Sequence, residues 1–283
     1  MNINIYQIAI EVTRNCNLVC KDYCMRGPRE PINITKENVD LLLTMINKPN
    51  VNINSLLFSG GEPSLNEDII IYIIDKIITN KIPIRKIKMV TNGHLLSYSI
   101  IEAFEKFNVY KKEELKEEIK NLINFAHEYS LESEIPNMTN FARIAISRDK
   151  FHKPLSESQI LLYQKACQNI ILDSQFTSDH KVLKTGLSTI GEEFIYHLDQ
   201  ISFLVNRNDI NVSNSFYLTA TGYLTTNGDG QYKDMDLNNL GHIQEIDLIK
   251  IIMDEVEEKI NNDVTSQEQI KTKKFFMRRF LRN

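Results

Sequence analysis

The stretch IEVTRNCNLVCKDYCMRG, residues 10–27, decides how this chain is interpreted. An apolar run near residues 3–12 predicts a strand that leads into the stretch, and three cysteines follow it within nine positions, Cys16, Cys20 and Cys24. Three thiolates in one loop can hold three irons of a [4Fe–4S] cluster and leave the fourth iron open. The alternative is a zinc site, but zinc loops usually pair such cysteines with a second pair or with histidines, and His94 and His127 lie in no supporting motif.

Composition narrows the class of protein. The chain has 283 residues, 42% of them hydrophobic, which is enough for one large barrel-like or α/β domain. With 33 basic and 37 acidic residues, the net charge of -4 gives no argument for nucleic acid or an anionic membrane. No apolar stretch approaches the roughly 18 residues of a membrane span, and the first fifteen residues lack the features of a signal peptide. We therefore expect a cytoplasmic protein.

Short apolar runs alternate with amphipathic patterns through the first two thirds of the chain, which predicts βαβ units and a parallel sheet. The predicted strands lie near residues 3–12, 53–58, 84–91, 141–147 and 180–185. The predicted helices lie near residues 34–47, 66–80, 97–107, 112–130, 155–173 and 188–198. Asn66 is the expected N-cap of the second helix, ahead of its apolar set Ile69, Ile70, Ile73, Ile74, Ile77 and Ile78.

The pattern changes after residue 200. SFYLTATGYLTTNGDG predicts a hairpin, with turn signals at Gly222 and at residues 227–230. We divide the chain into a core over residues 1–205 and a hairpin and helical extension over residues 206–283. The basic, aromatic tail KTKKFFMRRFLRN is expected to be a docked helix, and the alternative is contact with an acidic partner or a membrane surface.

A second motif, Ser59-Gly60-Gly61-Glu62-Pro63, follows the apolar run that ends at Phe58. Together with the cysteine loop it resembles the radical S-adenosylmethionine (SAM) superfamily, whose GGEP motif binds the amino group of the methionine moiety of SAM. The chemistry agrees, because glycines allow close backbone approach to a ligand and a carboxylate is a charge partner for an ammonium.

The same resemblance implies further SAM contacts at the ends of two predicted strands. Thr91 and Asn92 end the run KIKMVTNG, and Ser147 and Asp149 end the run ARIAISRD. In the family, polar side chains at such positions touch the methionine carboxylate and the ribose. Tyr23 stands just before the last cysteine, where the family often has an aromatic residue whose backbone meets the adenine. The alternative for the strand ends is ordinary turn chemistry. The implied fold is a partial (β/α)6 TIM-like barrel with a short C-terminal β-hairpin and helix extension.

Two features depart from the family. The cysteine spacing is CxxxCxxxC instead of CxxxCxxC, and the alternative to a working cluster is a chain that has lost it. A one-residue insertion costs little in loop closure, so we expect ligation to survive. The C-terminal region has no cysteines for auxiliary clusters, and Cys167 reads as a small buried hydrophobe rather than a ligand.

The resemblance implies an enzyme that cleaves SAM reductively at a [4Fe–4S] cluster, which produces a 5′-deoxyadenosyl radical for hydrogen abstraction. Its electron donor would be a flavodoxin or a ferredoxin. A peptide or protein substrate is the first expectation, because the cysteine loop and the hairpin resemble peptide-maturation branches. A small metabolite or a nucleotide is second, and the alternatives from other classes are a non-catalytic regulator that binds SAM or a cluster, and a structural zinc module.

Overall fold

A computed structural model describes residues 1–18, 20, 30–147, 153–173, 183–184, 192–193, 201–206, 208–226 and 238–262. Its strands are β1 (Asn2–Thr13), β2 (Val51–Gly60), β3 (Ile84–Thr91), β4 (Ala142–Ile146), β5 (Ile171–Asp173), β6 (Leu183–Lys184), β7 (Glu192–Glu193), β8 (Phe203–Asn206), β9 (Asp209–Leu218), β10 (Tyr223–Thr225) and β11 (Asn239–His242). Its α-helices are α1 (Lys36–Ile46), α2 (Glu67–Thr79), α3 (Tyr98–Glu114), α4 (Lys116–Glu128), α5 (Ile135–Thr139), α6 (Glu157–Ala166) and α7 (Leu248–Asn262). Two 3₁₀ turns cover Pro63–Asn66 and Glu132–Glu134.

The main sheet is open and mostly parallel. Its strands lie in the order β11-β10-β9-β1-β2-β3-β4-β5, and β8 pairs with β9 beside this path. The six strands from β9 to β5 form five neighbouring pairs, all of them parallel. Helices follow β1, β2, β3 and β4 in the chain, as in the β/α repeats of a partial barrel. The predicted α/β class, with a parallel sheet and a C-terminal hairpin and helix, is confirmed.

One face of the sheet carries the helices and most of the core. In β3, Ile87 and Met89 are buried in this core, and Ile8 and Ile10 of β1 lie in the same cluster. Helix α2 contributes the apolar stripe that its sequence predicts, because residues spaced three and four apart lie on one side of a helix. Its buried members are Ile69, Ile70, Ile73, Ile74 and Ile77.

Several predicted boundaries were wrong. The helix predicted over residues 155–173 ends at Ala166, and its last residues form β5, because Ile171 and Leu172 pair with β4. The helix predicted over residues 188–198 contains a strand at 192–193, which pairs with 183–184 in a separate two-stranded sheet, and its other residues lie outside the described ones. The helix predicted over residues 97–107 runs on to Glu114 and meets α4 at Leu115.

Asn66 does not cap α2 through its side chain. Its amide instead donates to the carbonyl of Val12 over 2.7 Å, which joins the start of α2 to the end of β1. This contact fixes the helix against the loop that follows β1.

The C-terminal hairpin is confirmed at β9 and β10, where Leu218 pairs with Leu224. Gly222 lies in its turn with a positive φ of 90°, a conformation that glycine adopts without strain. Strand β9 also pairs with β1 along most of its length. The second turn signal, residues 227–230, and the basic tail lie outside the described residues. No helix among the described residues is long and apolar enough to cross a membrane.

Candidate functional site

The two glycines after β2 pack against the backbone that leads into the cysteine loop. The Gly61 N–H donates to the carbonyl of Thr13 over 2.8 Å, and the Glu62 N–H donates to the carbonyl of Asn15 over 2.7 Å. A Cβ at Gly60 would overlap the carbonyl oxygen of Thr13, and one at Gly61 would overlap that of Asn15. The glycines therefore allow close approach of two backbone segments of this chain, which fastens the GGEP motif to the loop that holds the cysteines.

Glu62 is almost completely buried, with 1% of its surface exposed, and its carboxylate joins the turn after β2 to the end of β3. Its Oε1 atom accepts hydrogen bonds from the Ser64 N–H at 3.1 Å, from the Ser64 hydroxyl, and from the Thr91 hydroxyl at 2.7 Å. Its Oε2 atom accepts from the Asn92 N–H at 2.8 Å. A buried carboxylate is stable only when hydrogen bonds replace its water shell, and here they come from the end of β3 and from the turn after β2.

Asn92 carries the connection on to the cysteine loop. Its side-chain amide donates to Asn17 Oδ1 over 2.7 Å and lies 3.9 Å from Cys16 Sγ. The carbonyl of Thr91, its neighbour in the chain, accepts from the Ser147 N–H over 2.9 Å. The ends of β1, β2, β3 and β4 are thus joined, and the predicted residues Cys16, Glu62, Thr91, Asn92 and Ser147 lie in one network.

Sequence reasoning missed a second buried carboxylate at the same end of β1. Glu11 is 0% exposed, and its Oε2 atom accepts from Arg14 Nε at 3.1 Å and from the Ala220 N–H at 2.9 Å. The contact with Ala220 ties the turn of the C-terminal hairpin to the start of the cysteine loop. The available signal was a single acidic residue inside the apolar run of β1, since unpaired charges are rarely buried.

The remaining predicted site residues are only partly described. Ser59 is half-buried on β2 opposite Glu11, and Pro63 is buried where it begins the 3₁₀ turn. Cys20 is half-buried. Tyr23, Cys24 and Asp149 lie outside the described residues, so their roles stay predictions.

The donor set suits an iron-sulfur cluster. Cys16 and Cys20 are half-buried and follow the end of β1. Thiolates are the soft ligands that such clusters need. Among the described residues no three His, Cys, Asp or Glu side chains gather into a metal-holding group, and the third cysteine of the loop is outside them. The ring of His94 meets the carbonyl of Lys153 at 3.0 Å, and that of His127 meets Glu132 at 3.4 Å.

Cys167 has a different environment. It ends α6, is 4% exposed, and belongs to the main core. Burial, and to a smaller extent the charge of Glu105, raises the pKa of its thiol to about 12. A thiol that stays protonated is a poor metal ligand, so Cys167 is a buried hydrophobe, as its apolar neighbourhood predicts.

Comparison with known proteins agrees with this geometry. The model of the radical SAM superfamily matches residues 10–115. The GTP 3′,8-cyclase of Clostridium acetobutylicum is 40% identical over 100 residues, which cover 33% of this chain and 29% of that protein. The chain therefore matches less than a third of the length of this curated relative.

Solved structures give distant likenesses. BtrN in complex with AdoMet and 2-DOIA is 12% identical, covers 98% of this chain and 88% of its own, and has a TM-score of 0.49. SuiB of Streptococcus suis bound to the precursor peptide SuiA is 17% identical, with 87% and 64% of the two chains covered and a TM-score of 0.41.

A cysteine loop fastened to a GGEP turn at the carboxyl ends of parallel strands defines a radical SAM domain. Residues 10–115 match the radical SAM superfamily, a superfamily of enzymes. A radical SAM domain implies a [4Fe–4S] cluster and SAM as cofactors.

Proposed function

We propose that this protein cleaves SAM reductively and removes a hydrogen atom from its substrate. The observation that carries the proposal is the chain of hydrogen bonds from Glu62 through Thr91 and Asn92 to Cys16 and Asn17. When bound, a reduced [4Fe–4S] cluster and SAM supply a 5′-deoxyadenosyl radical that abstracts hydrogen. The chain itself orients these groups and keeps competing donors away from them.

Each predicted residue has a proposed part in this arrangement. Cys16, Cys20 and Cys24 hold the cluster, and the Asn92 amide orients Cys16. The Oε1 atom of Glu62 already accepts three hydrogen bonds, whereas Oε2 accepts one from a described residue. Each carboxylate oxygen has about two lone pairs, so Oε1 is already crowded and Oε2 is the atom with capacity left for the ammonium of SAM. The residues proposed for the rest of SAM are Tyr23, Ser59, Gly60, Gly61, Pro63, Thr91, Ser147 and Asp149.

The substrate is argued separately from the chemistry. In the sequence, the cysteine loop and the hairpin favour a peptide or protein as the substrate. The proposed electron donor is a flavodoxin or a ferredoxin. The similarity of 100 residues to a GTP 3′,8-cyclase favours a nucleotide or another small molecule instead. Basic residues on the sheet also support this second candidate.

The test is reconstitution of the full chain with iron and sulfide without oxygen. We expect a brown protein with about four irons per chain, which releases methionine and 5′-deoxyadenosine from SAM when dithionite is added. The triple variant with Cys16→Ala, Cys20→Ala and Cys24→Ala should lose both the colour and the cleavage.

Cys167→Ala is the matched control, because it removes a thiol outside the loop. It should keep the irons and the cleavage of the unaltered protein. A colourless protein with one zinc would refute the proposed function and favour the zinc module. A brown protein that binds SAM without cleaving it would also refute it and favour a regulator.

A further inference from the structure

The inner face of the sheet, opposite the helices, carries a group of cations on β3 and β4. Because successive side chains of a strand point to opposite faces, Lys86 and Lys88 lie on the face opposite Ile87 and Met89. Lys88 is directly across from Arg143 of β4. All three cations are half-buried.

These charges are poorly balanced by the described residues around them. Arg143 pairs with Asp173 at 3.4 Å. Within the described part of the chain, neither Lys86 nor Lys88 forms an ion pair or a side-chain hydrogen bond. Like charges on directly opposite strand residues destabilise a sheet. The described residues give no reason for this arrangement, whereas an anionic ligand would.

The pKa of Lys86 shows the electrostatic cost of placing these cations together. Burial, followed by the charges of Arg85 and Arg143, lowers the pKa of its ammonium. Arg85 has its own partner, Glu118 of α4, on the helix side. The positive charge of Lys86 is therefore disfavoured in the protein without ligand, and a bound anion would favour it.

The neighbouring surface is apolar. Along the same row of the sheet, Lys88 is followed by Leu57 of β2, Ala9 of β1 and Tyr217 of β9. These three side chains form a small cluster separate from the main core. The row thus places an apolar patch, in which Leu57 is half-buried and Ala9 and Tyr217 are buried, beside two cations, which suits a ligand with an apolar part and an anionic part.

The row also lies within reach of the proposed cluster and SAM site. Lys88 precedes Thr91 by three residues, or about 10 Å along the strand. Thr91 binds Glu62 in the network that reaches Cys16. A ligand held by its anionic end at Lys88 could extend along the inner face toward the proposed cluster and SAM site.

We propose that Lys86, Lys88 and Arg143 bind a phosphate or pyrophosphate group of a small-molecule substrate. The identification of this ligand as a substrate rests on the proposed function. A group with two or more negative charges matches two lysines that form no ion pair with any described residue and an arginine that Asp173 partly offsets. A nucleotide has this charge together with a planar base.

The test measures pyrophosphate binding by calorimetry on the full chain, without SAM or reductant. We expect the unaltered protein to bind pyrophosphate, and Lys88→Gln to bind it about tenfold more weakly or worse. Lys116→Gln removes a charge that is 72% exposed on α4 and is the matched control, with unchanged binding. Equal weakening by both variants, or no binding by the unaltered protein, would overturn the proposal.

Lys86→Gln separates a binding role from a structural one. Because burial and the charges of Arg85 and Arg143 disfavour the ammonium of Lys86, this variant should unfold at the same temperature as the unaltered protein or higher, while it binds pyrophosphate more weakly. A lower unfolding temperature with unchanged binding would contradict the proposal. Competition extends the test, since succinate or an acidic peptide that displaces pyrophosphate at equal concentration would reassign the site to carboxylates. Cleavage of SAM by the unaltered protein is assayed separately, so a failure there bears on the proposed function alone.

Discussion

At the scale of single residues, Gly61 shows how tightly the GGEP turn fits the cysteine loop. Gly61→Ala would bring a Cβ into the carbonyl of Asn15 and within 2.7 Å of the carbonyl of Arg14. Because both obstacles are backbone atoms, they cannot move aside as a flexible side chain would. We expect the free energy of unfolding to fall by about 1–3 kcal/mol, as for overpacked sites, and the iron content after reconstitution to fall with it.

Ser59→Ala is the control for this substitution, because it changes a half-buried neighbour without adding an atom. Urea unfolding of the protein before reconstitution measures both variants. If Gly61→Ala matched Ser59→Ala in stability and iron content, the packing of the turn against the loop would not be tight.

Glu62 is predicted to stabilise the protein before any ligand binds. Glu62→Gln keeps the shape but places an amide donor against groups that are themselves donors, the hydroxyls of Ser64 and Thr91 or the N–H of Asn92. Buried donors left without acceptors should cost about 1–3 kcal/mol of unfolding free energy.

Urea unfolding without SAM checks this effect. The control is Glu67→Gln, since Glu67 is exposed and accepts one bond from Ser97, and it should change stability by less than about 0.5 kcal/mol. An unchanged Glu62→Gln protein would mean that the carboxylate serves the ligand alone.

At the scale of elements, the end of α6 gives a prediction of pH dependence. Burial raises the pKa of the Cys167 thiol to about 12, against 9.0 for an ordinary thiol. Above pH 9 the unfolded chain loses this proton and the folded chain keeps it, so stability is complete below pH 9 and is lost as the pH rises toward 12. Cys167 should account for about 2 kcal/mol of the loss between pH 8 and 10.5.

Urea unfolding at the two pH values measures this contribution. The free energy of unfolding should fall further between pH 8 and 10.5 for the unaltered protein than for Cys167→Ala. Cys16 and Cys20, which are half-buried, should react with iodoacetamide at pH 8 before reconstitution, while Cys167 reacts after unfolding. Rapid alkylation of Cys167 in the folded protein would show that α6 does not shield it.

At the scale of the whole molecule, β9 joins the two ends of the chain in one sheet. It pairs in parallel with β1 from Asn2 to Ile10, and the turn after it donates from Ala220 to Glu11. The division at residue 205 stays a prediction, and it can be tested directly. A chain that ends at residue 205 should be insoluble or lack a cooperative unfolding transition, because the edge of β1 loses β9 and the buried carboxylate of Glu11 loses the Ala220 N–H.

Circular dichroism during heating, after expression of the shortened chain, is the measurement. A chain that ends at residue 262 keeps all described elements and should unfold cooperatively. A soluble chain of residues 1–205 with a sharp transition would establish the core as an independent domain.

Local sequence patterns predicted much of the fold and of the candidate site. The alternation of apolar runs with amphipathic stretches predicted four of the first five parallel strands, and the repeat of isoleucines predicted the buried face of α2. The site residues of the cysteine loop, the GGEP turn and the ends of β3 and β4 stood next to predicted strands, because parallel strands bring their carboxyl ends to one edge. Strand β5 was missed because three residues are too short for a pattern to separate from the helix before them.

The sequence by itself determined the class of protein, since thiol spacing, the glycine turn and strand periodicity are local features that survive without a fold. Only the tertiary structure decided that β9 pairs with β1, that Glu62 is satisfied by Thr91 and Asn92, and that Lys88 faces Arg143. The physical reason is that each of these contacts joins residues far apart in the chain. Their partners depend on strand order and register, which the energy of the whole packed sheet selects.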